Sequence, residues 1–285
     1  MIYQFIAVAQ VEYPVTRLCQ TLGVSMSGYY AWRKRPESQH HREDGELTQA
    51  IEKAYTTSRA CYGSPRIAVE LRSQGYCCSQ KRVARLMRER GFRARSKRSR
   101  PRTTQQDPTH QKTGNILNQE FKATAPNQKW VTDVTAVWTQ EGWLYLAGVL
   151  DLFSRSLVGW AMAAVQDEVL VQNALQMALV RRRPIPGLLH HSDRGSQYTS
   201  TGYQCTLAQA GMVVSMSRTG NCYDNAAMES FWSTLKCECT SRTCFPTRAT
   251  AKQAIFEYIE CFYQRQRRHS SLGYLSPAQY EELMT

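Results

Sequence analysis

The sequence predicts an α/β domain built on a mixed five-stranded sheet with helices, preceded by small all-α segments. Two observations lead to this fold class. Apolar residues in the first 94 positions recur at helical spacing, whereas those after about position 118 first alternate as in half-buried strands and then form alternating helices and strands. The charge divides in the same way, because positions 1–120 hold 21 basic and 10 acidic residues, against 15 and 13 in the remainder.

The first segment, residues 1–37, has the pattern of two short helices. Val15, Leu18 and Leu22 have helical spacing, Gly23 breaks the pattern, and Ser25 or Ser27 can cap a second helix. A helix, a glycine-containing turn and a second helix are typical of a helix-turn-helix, although a plain helical hairpin has the same pattern.

The second segment, residues 38–94, repeats the pattern more strongly. Pro65 is expected at the start of an amphipathic helix that Gly75 ends, and Ser79 is expected to cap the next helix. That helix places Val83, Leu86 and Met87 on its inner face. Its outer face carries five basic residues, which predicts a recognition helix for the major groove of DNA. These residues are Lys81, Arg82, Arg85, Arg88 and Arg90.

A basic linker follows at residues 95–117. Positions 81–102 contain 11 basic residues and one acid, and the stretch after Arg95 is almost free of apolar residues. Such a segment can follow DNA phosphates. The alternative is a solvated basic surface without a partner. The predicted phosphate contacts in this linker are Arg95, Lys97, Arg98 and Arg100.

Residues 118–285 predict the sheet domain. KWVTDVTAVWTQ, WLYLAGVLDLF and SLVGWAM are three consecutive strands, and the amphipathic helix DEVLVQNALQMALVRRR follows them. GLLHHSD and VVSMS predict the fourth and fifth strands, with a helix between them and further helices from about Tyr223 and Arg248. This order, β-β-β-α-β-α-β-α, is that of the ribonuclease H-like fold.

Three acids are the candidate catalytic residues. Asp133 interrupts an apolar strand, Asp193 ends the fourth strand, where open α/β sheets bind ligands, and Glu229 lies on a helix. Taken singly, Asp193 can be a strand-end cap and Glu229 a solvated helix acid. Taken together, the predicted element order can bring all three to one edge of the sheet.

Three clustered carboxylates repel one another, and hard cations such as Mg²⁺ relieve that repulsion. Two such ions can activate a water or a 3′-hydroxyl and stabilise the leaving oxygen of a phosphodiester. Lys236 lies two turns after Glu229 and is expected to hold a DNA phosphate. Asn225 lies one turn before Glu229, where it can orient that acid or belong to the helix start.

Several other residues keep more than one interpretation. His190 and His191 can pack in the core, contact phosphate or bind metal, and His191 is a candidate for orienting the acids. Asp151 can be an accessory acid or a turn residue. The ten cysteines are scattered and no export signal is evident, which favours reduced thiols and a cytoplasmic protein without a membrane segment.

Four motifs together carry a resemblance to a known family: WVTDVT, HSDRGSQYTS, GNCYDNAAMESFWSTLK and YQRQRRHSSLGYLSPAQYEE. They resemble the integrase core of bacterial insertion-sequence transposases, and more closely the second-frame (orfB) product of the insertion-sequence-three family. YGSPRIAVELRSQGYCCSQKRVARLMRERGF is similar to that family's helix-turn-helix segment, and LGVSMSGYYAW to its N-terminal motif.

The resemblance implies a DDE triad at Asp133, Asp193 and Glu229, followed by Lys236. It implies strand cleavage at the ends of an insertion element and strand transfer to new DNA, with two Mg²⁺ ions per site that Mn²⁺ can replace. The implied partners are terminal inverted repeats, target DNA, further copies of the chain in a homo-oligomer, and an upstream-frame orfA product fused to it.

Two other functions fit parts of the sequence. One is a structure-selective nuclease of the same fold, against which the helix-turn-helix segments and the basic linker argue. The other is a DNA-binding regulator that has lost activity, against which the complete acid triad and Lys236 argue. Metal-dependent strand transfer distinguishes a transposase from both.

Overall fold

The computed structural model describes residues 2–35, 38–95, 114–218 and 222–284. The chain divides into two compact units, Met1–Lys53 and Ala54–Thr285. Three predicted phosphate contacts of the linker, Lys97, Arg98 and Arg100, lie outside the described residues.

The first unit is helical. Ser25 caps its third helix, because its Oγ accepts a hydrogen bond of 3.0 Å from the Gly28 backbone N–H. Gly23 lies in the preceding turn at φ +65°. The two predicted helices and their glycine turn are therefore confirmed. Ile6, Cys19 and Tyr29 form the buried core of the unit's first three helices. The helices are α1 (Ile2–Ala9), α2 (Val15–Thr21), α3 (Met26–Lys34) and α4 (Gln39–Thr57), of which α4 ends in the second unit.

The second unit begins with the predicted pair of amphipathic helices, α5 (Ser64–Ser73) and α6 (Gln80–Glu89). Ser79 caps α6 through a hydrogen bond of 3.2 Å from the Arg82 backbone N–H to its Oγ. Gly75 ends the first helix at φ +90°, a backbone conformation that favours glycine. The buried side of α6 consists of Val83, Leu86 and Met87, as predicted.

The sheet has five strands in the order β3-β2-β1-β4-β5. The first three strands are antiparallel neighbours, whereas β4 runs parallel to β1 and β5 runs parallel to β4. This topology confirms the predicted mixed sheet. The strands are β1 (Lys129–Thr139), β2 (Gly142–Asp151), β3 (Leu157–Ala163), β4 (Leu189–Ser192) and β5 (Val213–Met216).

Helices cover the sheet. Helix α7 (Glu168–Arg182) packs on β2 and β3, and Gly159 on β3 permits this approach, because a Cβ there would lie 2.2 Å from the Ala174 carbonyl oxygen. Trp130 and Tyr203 belong to the same buried core. The other α-helices described in this domain are α8 (Ser196–Thr199), α9 (Thr201–Gln209), α10 (Ala226–Leu235), α11 (Arg248–Phe256) and α12 (Pro277–Met284). A π-helical segment, Glu257–Tyr263, continues from α11, and short 3₁₀ turns lie at Cys222–Asn225 and Ser270–Leu272.

A buried ion pair fixes the chain after α10. The π-helical turn Lys236–Thr240 continues from α10 and carries Glu238. Arg267 donates two hydrogen bonds to the Glu238 carboxylate, at 2.6 and 2.8 Å, and both side chains are buried. Because removing one partner of a buried pair leaves an uncompensated charge, this contact holds the turn firmly.

Residues 54–95 belong to the same compact unit as the sheet. Arg268 forms an ion pair of 2.7 Å with Glu70 on α5, and the Tyr62 hydroxyl donates to the Gln266 carbonyl at 3.1 Å. Arg95 donates a hydrogen bond of 2.6 Å to the Glu238 carbonyl. The domain limits at 37, 94 and 117 stay a prediction.

Candidate active site

Asp133 lies on β1, the central strand, and both of its carboxylate oxygens accept hydrogen bonds. The Val134 backbone N–H donates to Oδ1 at 2.8 Å, and Trp232 Nε1 on α10 donates to Oδ2 at 3.1 Å. Trp232 was not among the candidate residues found from the sequence, although it lies one turn after Glu229. A tryptophan N–H that reaches a carboxylate on another element leaves no local signal in the sequence.

A glycine on the neighbouring strand lets α10 approach Asp133. Gly148 on β2 is the cross-strand partner of Asp133. A Cβ at Gly148 would lie 2.7 Å from Met228 Cε and 3.0 Å from Trp232 Cη2, both on α10. The absence of that carbon therefore permits the helix to pack closely on the sheet, and Trp232 to reach Asp133.

Asp193 follows the end of β4, and the sheet register brings it level with Asp133. Val131 on β1 pairs with His191 on β4, and the two strands are parallel. Asp133 and Asp193 each come two residues after this pair, so they lie level with each other. The Gly195 backbone N–H donates a hydrogen bond of 2.9 Å to Asp193 Oδ1. Burial raises the pKa of Asp193. The structure thus brings the first two predicted acids together, where β4 ends beside the middle of β1 rather than at a common edge of the sheet.

Glu229 is the third acid, and its electrostatic influence reaches Asp133. The pKa of Asp133 is raised to about 7, first by burial and then by the charges of Asp193 and Glu229. Glu229 is an exposed residue, but the neighbouring residues remove part of its solvent, and this desolvation raises its pKa. Mutual repulsion of this kind is expected where carboxylates share a site without a cation.

The three acids lie near one another, but their side chains do not form a complete set of metal ligands. Across the described ranges, no group of three or more His, Cys, Asp and Glu side chains is placed to hold a metal ion. The chemistry of the three carboxylates nevertheless suits Mg²⁺, which prefers oxygen ligands. Their repulsion at Asp133 is also the effect that a divalent cation would relieve.

Asn225 and Lys236 lie at the two ends of α10. Asn225 is buried and donates a hydrogen bond of 3.1 Å from Nδ2 to the carbonyl of Thr132, the residue before Asp133. Its Oδ1 is buried and has no hydrogen-bond partner among the described residues. Lys236 is half-buried at the C-terminal end of the helix.

The two histidines of β4 have structural partners. The ring nitrogens of His191 lie 2.9 Å from Ser215 Oγ and 3.0 Å from Ser217 Oγ, and burial lowers its pKa to about 4. His190 Nε2 lies 3.1 Å from the Tyr203 hydroxyl. These contacts connect β4 to β5 and to α9, and the orienting role of His191 toward the acids stays a prediction.

Asp151 has the contacts of a turn residue. It is fully buried, and its carboxylate accepts hydrogen bonds from the backbone N–H groups of Asn127 at 2.7 Å and Phe153 at 2.9 Å. These bonds fix the chain at the end of β2, so Asp151 has the contacts expected of a turn residue.

The predicted recognition helix presents cations on its outer side. Lys81, Arg85, Arg88 and Arg90 are exposed, and Arg82 is half-buried. Arg85 forms an exposed ion pair of 3.0 Å with Glu89, the acid of this helix. The outer side of α6 therefore has a net positive charge.

Three family models match the chain. An "Integrase core domain" model matches residues 123–222, a second model of that description matches residues 210–277, and an "HTH-like domain" model matches residues 41–100. The first of these ranges contains Asp133 and Asp193, and the second contains Glu229. No helix in the described parts of the chain is both long enough and apolar enough to cross a membrane.

Two curated relatives are similar over nearly the whole chain. The 31 kDa protein of insertion element IS600 from Shigella sonnei is 48% identical over 93% of this chain and 97% of its own length. Transposase InsF for insertion sequence IS3A from Escherichia coli (strain K12) is 42% identical over 99% of this chain and 98% of its own. Among solved structures, the HTLV-2 integrase catalytic core domain in complex with magnesium matches at a TM-score of 0.43 and 15% identity. That match covers 56% of this chain and 99% of that one.

Proposed function

Because the chain belongs to the IS3 family of insertion-sequence transposases and carries an integrase core, it acts on DNA in transposition, and we propose that Asp133, Asp193 and Glu229 are its catalytic acids. The observation that carries this assignment is the position of Asp133. In the register of the parallel strands β1 and β4 it is level with Asp193, and the charges of Asp193 and Glu229 both raise its pKa. A DDE-type polynucleotidyl transferase requires three such acids around the reacting phosphate.

The three carboxylates would hold Mg²⁺, with two ions per site and with Mn²⁺ as a substitute. When bound, the metal would supply activation of the attacking oxygen and stabilisation of the leaving oxygen. Two observations support this metal assignment. The three side chains offer only oxygen ligands, and the charges of Asp193 and Glu229 repel that of Asp133. Glu229 is exposed, and we propose that it joins the two aspartates when metal and DNA bind.

The remaining side chains position the reacting groups. Trp232 and the Val134 N–H hold the Asp133 carboxylate in one orientation, and Asn225 connects the start of α10 to β1 beside that carboxylate. Lys236 would hold a phosphate of the strand being cut or joined. In cleavage a water attacks the phosphorus and the 3′-oxygen leaves. In strand transfer that freed 3′-hydroxyl attacks a target phosphate, loses its proton and displaces a target 3′-oxygen.

DNA is the partner of this chain, and we propose where it binds. Helix α6 would enter the major groove of a terminal inverted repeat with the basic side that the sequence predicted. Arg95 would act beside it, although its guanidinium also contacts the Glu238 carbonyl. Phosphate contacts by Lys97, Arg98 and Arg100 remain part of the proposal.

The assembled enzyme would contain more than one copy of this chain. We propose a homo-oligomer on DNA that brings two element ends together, and a fusion of this chain with an upstream-frame orfA product. We also propose that it acts in the cytoplasm, where bacterial DNA lies. Mixing the chain with the upstream product, and measuring the mass of the complex on paired element ends, tests the first two points.

The decisive experiment is strand transfer of labelled element ends in Mg²⁺ or Mn²⁺. The wild type is expected to form joined products, whereas Glu229→Gln and Asp193→Asn are expected to form none while still binding DNA. Glu282→Gln, an exposed acid on α12, is the matched control and is expected to keep full activity. Joined products from Glu229→Gln at the wild-type rate would refute the assignment of the third acid.

A further inference from the structure

Asp224 is a buried acid that has no part in the chemistry described so far. It belongs to the 3₁₀ turn Cys222–Asn225, which leads directly into α10, and its side chain is fully buried. Both of its carboxylate oxygens accept hydrogen bonds from residues outside α10. Because a buried carboxylate is costly unless it is paired, the partners of Asp224 show which parts of the chain it holds together.

Arg218 is the main partner of Asp224. Its backbone N–H donates to Asp224 Oδ2 at 2.9 Å, and its guanidinium donates to both carboxylate oxygens, at 3.2 and 3.3 Å. Gln119 Nε2 adds a hydrogen bond of 3.2 Å to Oδ1. Burial acts to raise the pKa of Asp224, but the hydrogen bonds from Arg218 and Gln119 outweigh it and lower that pKa. The Asp224–Arg218 clasp, as we call these contacts, therefore joins two charged groups in a fixed orientation.

The clasp connects the strand next to the second acid with the helix of the third. Arg218 comes two residues after the end of β5. That strand is parallel to β4 and their last residues pair, so Asp193 and Ser217, which follow them, are level with each other. Asp224, at the other side of the clasp, precedes α10, and Glu229 lies in the first turn of that helix. The clasp therefore ties the start of this helix to the part of the sheet where Asp193 lies.

A second contact holds the same turn against the central strand. Asn225 Nδ2 donates a hydrogen bond of 3.1 Å to the Thr132 carbonyl, beside Asp133. The start of α10 is thus held both at β5, through the clasp, and at β1. A shift of that start would move the Glu229 carboxylate relative to both aspartates, and a misplacement of about 1 Å can lower a catalytic rate about a hundredfold.

We propose that Asp224 and Arg218 are positioning residues, which set the place of Glu229 with respect to Asp193. The proposal rests on the proposed function, in which these two acids bind the same metal ions. Neither member of the clasp would touch the metal or the reacting phosphate. A pair that only stabilised the fold would instead lower the unfolding temperature without changing the rate of the molecules that remain folded.

Arg218→Gln breaks the clasp at its exposed side, since the Arg218 side chain is 52% exposed whereas Asp224 is fully buried. At a temperature at which the variant is folded, its rate of strand transfer at saturating DNA and Mg²⁺ is expected to fall at least about tenfold, while its dissociation constant for element-end DNA changes less than about twofold. Arg218→Lys is expected to recover part of the rate, because its ammonium group can still donate to the carboxylate. A dissociation constant that rises as much as the rate falls would show that Arg218 contacts DNA directly, and an unchanged rate would show a purely structural pair. Either result would overturn the proposal.

A double-variant cycle tests whether the two residues act through one contact. The protein carrying both Asp224→Asn and Arg218→Gln is expected to be no slower than the slower single variant, because the clasp is already broken there. Arg182→Gln is the matched control and is expected to keep the wild-type rate. It removes an ion pair of 2.7 Å with Glu281, which lies outside the acid site. Losses that multiply in the double variant, or an equal loss in Arg182→Gln, would overturn the proposal.

Amide hydrogen exchange followed by mass spectrometry tests the clasp without relying on catalysis. In Arg218→Gln the amides of α10 are expected to exchange at least about tenfold faster than in the wild type, because hydrogen bonds to a charged group are lost at the turn before the helix. The amides of α7 are the internal control and should keep their exchange rates. Equal exchange of α10 in both proteins would overturn the proposal. If α10 exchanges faster but Glu229→Gln keeps the wild-type rate of strand transfer, the proposed function has failed and the positioning role fails with it, whereas the hold of the clasp on the helix is confirmed.

Discussion

Replacing Trp232 with phenylalanine should make the enzyme dependent on high pH. The indole N–H donates a hydrogen bond of 3.1 Å to the Asp133 carboxylate, and this bond favours the ionised form. A hydrogen bond to a charged group contributes about 1.5–3 kcal/mol, and each pKa unit corresponds to about 1.4 kcal/mol. Losing the bond is therefore expected to raise the Asp133 pKa by about one to two units above its value of about 7.

The size of the kinetic effect follows from the ionised fraction of Asp133. At pH 7 about half of the wild-type carboxyl groups are ionised, against about one in ten to one in a hundred in Trp232→Phe. Since metal ligands must be deprotonated, the Mg²⁺ concentration for half-maximal strand transfer should rise about five- to fiftyfold at pH 7. At pH 9 the two proteins should differ by about twofold or less, because at least about half of the variant's Asp133 carboxyl groups and nearly all of the wild type's are then ionised.

The assay is a Mg²⁺ titration of strand transfer at pH 7 and at pH 9. Trp160→Phe is the matched control, because Trp160 Nε1 donates to the Glu260 carboxylate at 2.9 Å, and neither residue belongs to the acid site. A Trp232→Phe enzyme that needs the wild-type Mg²⁺ concentration at pH 7 would refute the reasoning. An equal defect at both pH values would mean that the tryptophan acts through packing alone.

Three further predictions concern packing, acid sensitivity and DNA affinity. Gly148→Ala should lower the free energy of unfolding by about 1–3 kcal/mol and reduce strand transfer, because the new Cβ meets α10. Gly45→Ala is the control and should do neither, because a Cβ at Gly45 would have no atom within 4 Å. Thermal unfolding measures both variants, and a Gly148→Ala protein as stable as the wild type would contradict the close packing. His191 has a folded-state pKa of about 4 against 6.5 for the free side chain, so its stability contribution is present above pH 6.5 and is lost as the pH falls. Denaturant titrations should show that His191→Asn removes up to about 1.4 kcal/mol per pH unit from the slope of stability between pH 6.5 and pH 5, and an unchanged slope would exclude a buried neutral histidine. Lys81→Gln combined with Arg88→Gln should lower the slope of log affinity against log salt by about 1.8, as binding titrations at several salt concentrations would show, and an unchanged slope would place α6 away from the DNA.

Features with a local signature were predicted from the sequence. The periodicity of apolar residues gave the five strands in their order along the chain, and Ser79 and Gly75 marked a helix start and a helix end. The topology then brought Asp133 and Asp193 side by side, because β4 runs parallel to β1 and ends level with the middle of that strand. For these features, chain-local patterns and the rules of sheet topology were sufficient.

Contacts between distant residues had no such signature. Trp232 donates to Asp133 across 99 residues, and Gly148 matters because of a helix about 80 positions later in the chain. The ion pair of Glu238 with Arg267 joins a π-helical turn to the basic segment of the motif YQRQRRHSSLGYLSPAQYEE, and neither residue was singled out from the sequence. The sequence shows the residue types, but their roles depend on which elements the fold packs together.

The contacts of α10 determine how the acid site can close. Asn225 connects the start of this helix to β1, Trp232 connects its middle to Asp133, and the Glu238–Arg267 pair fixes the turn after it. A helix held at three points cannot move far without breaking buried hydrogen bonds. We therefore expect Glu229 to reach the aspartates by rotation of its own side chain, whose ordering costs up to about 2 kcal/mol. A divalent cation would relieve the repulsion that, after burial, raises the pKa of Asp133, and this relief favours the rotation. Closure of the site on metal can therefore proceed with the backbone of α10 in place.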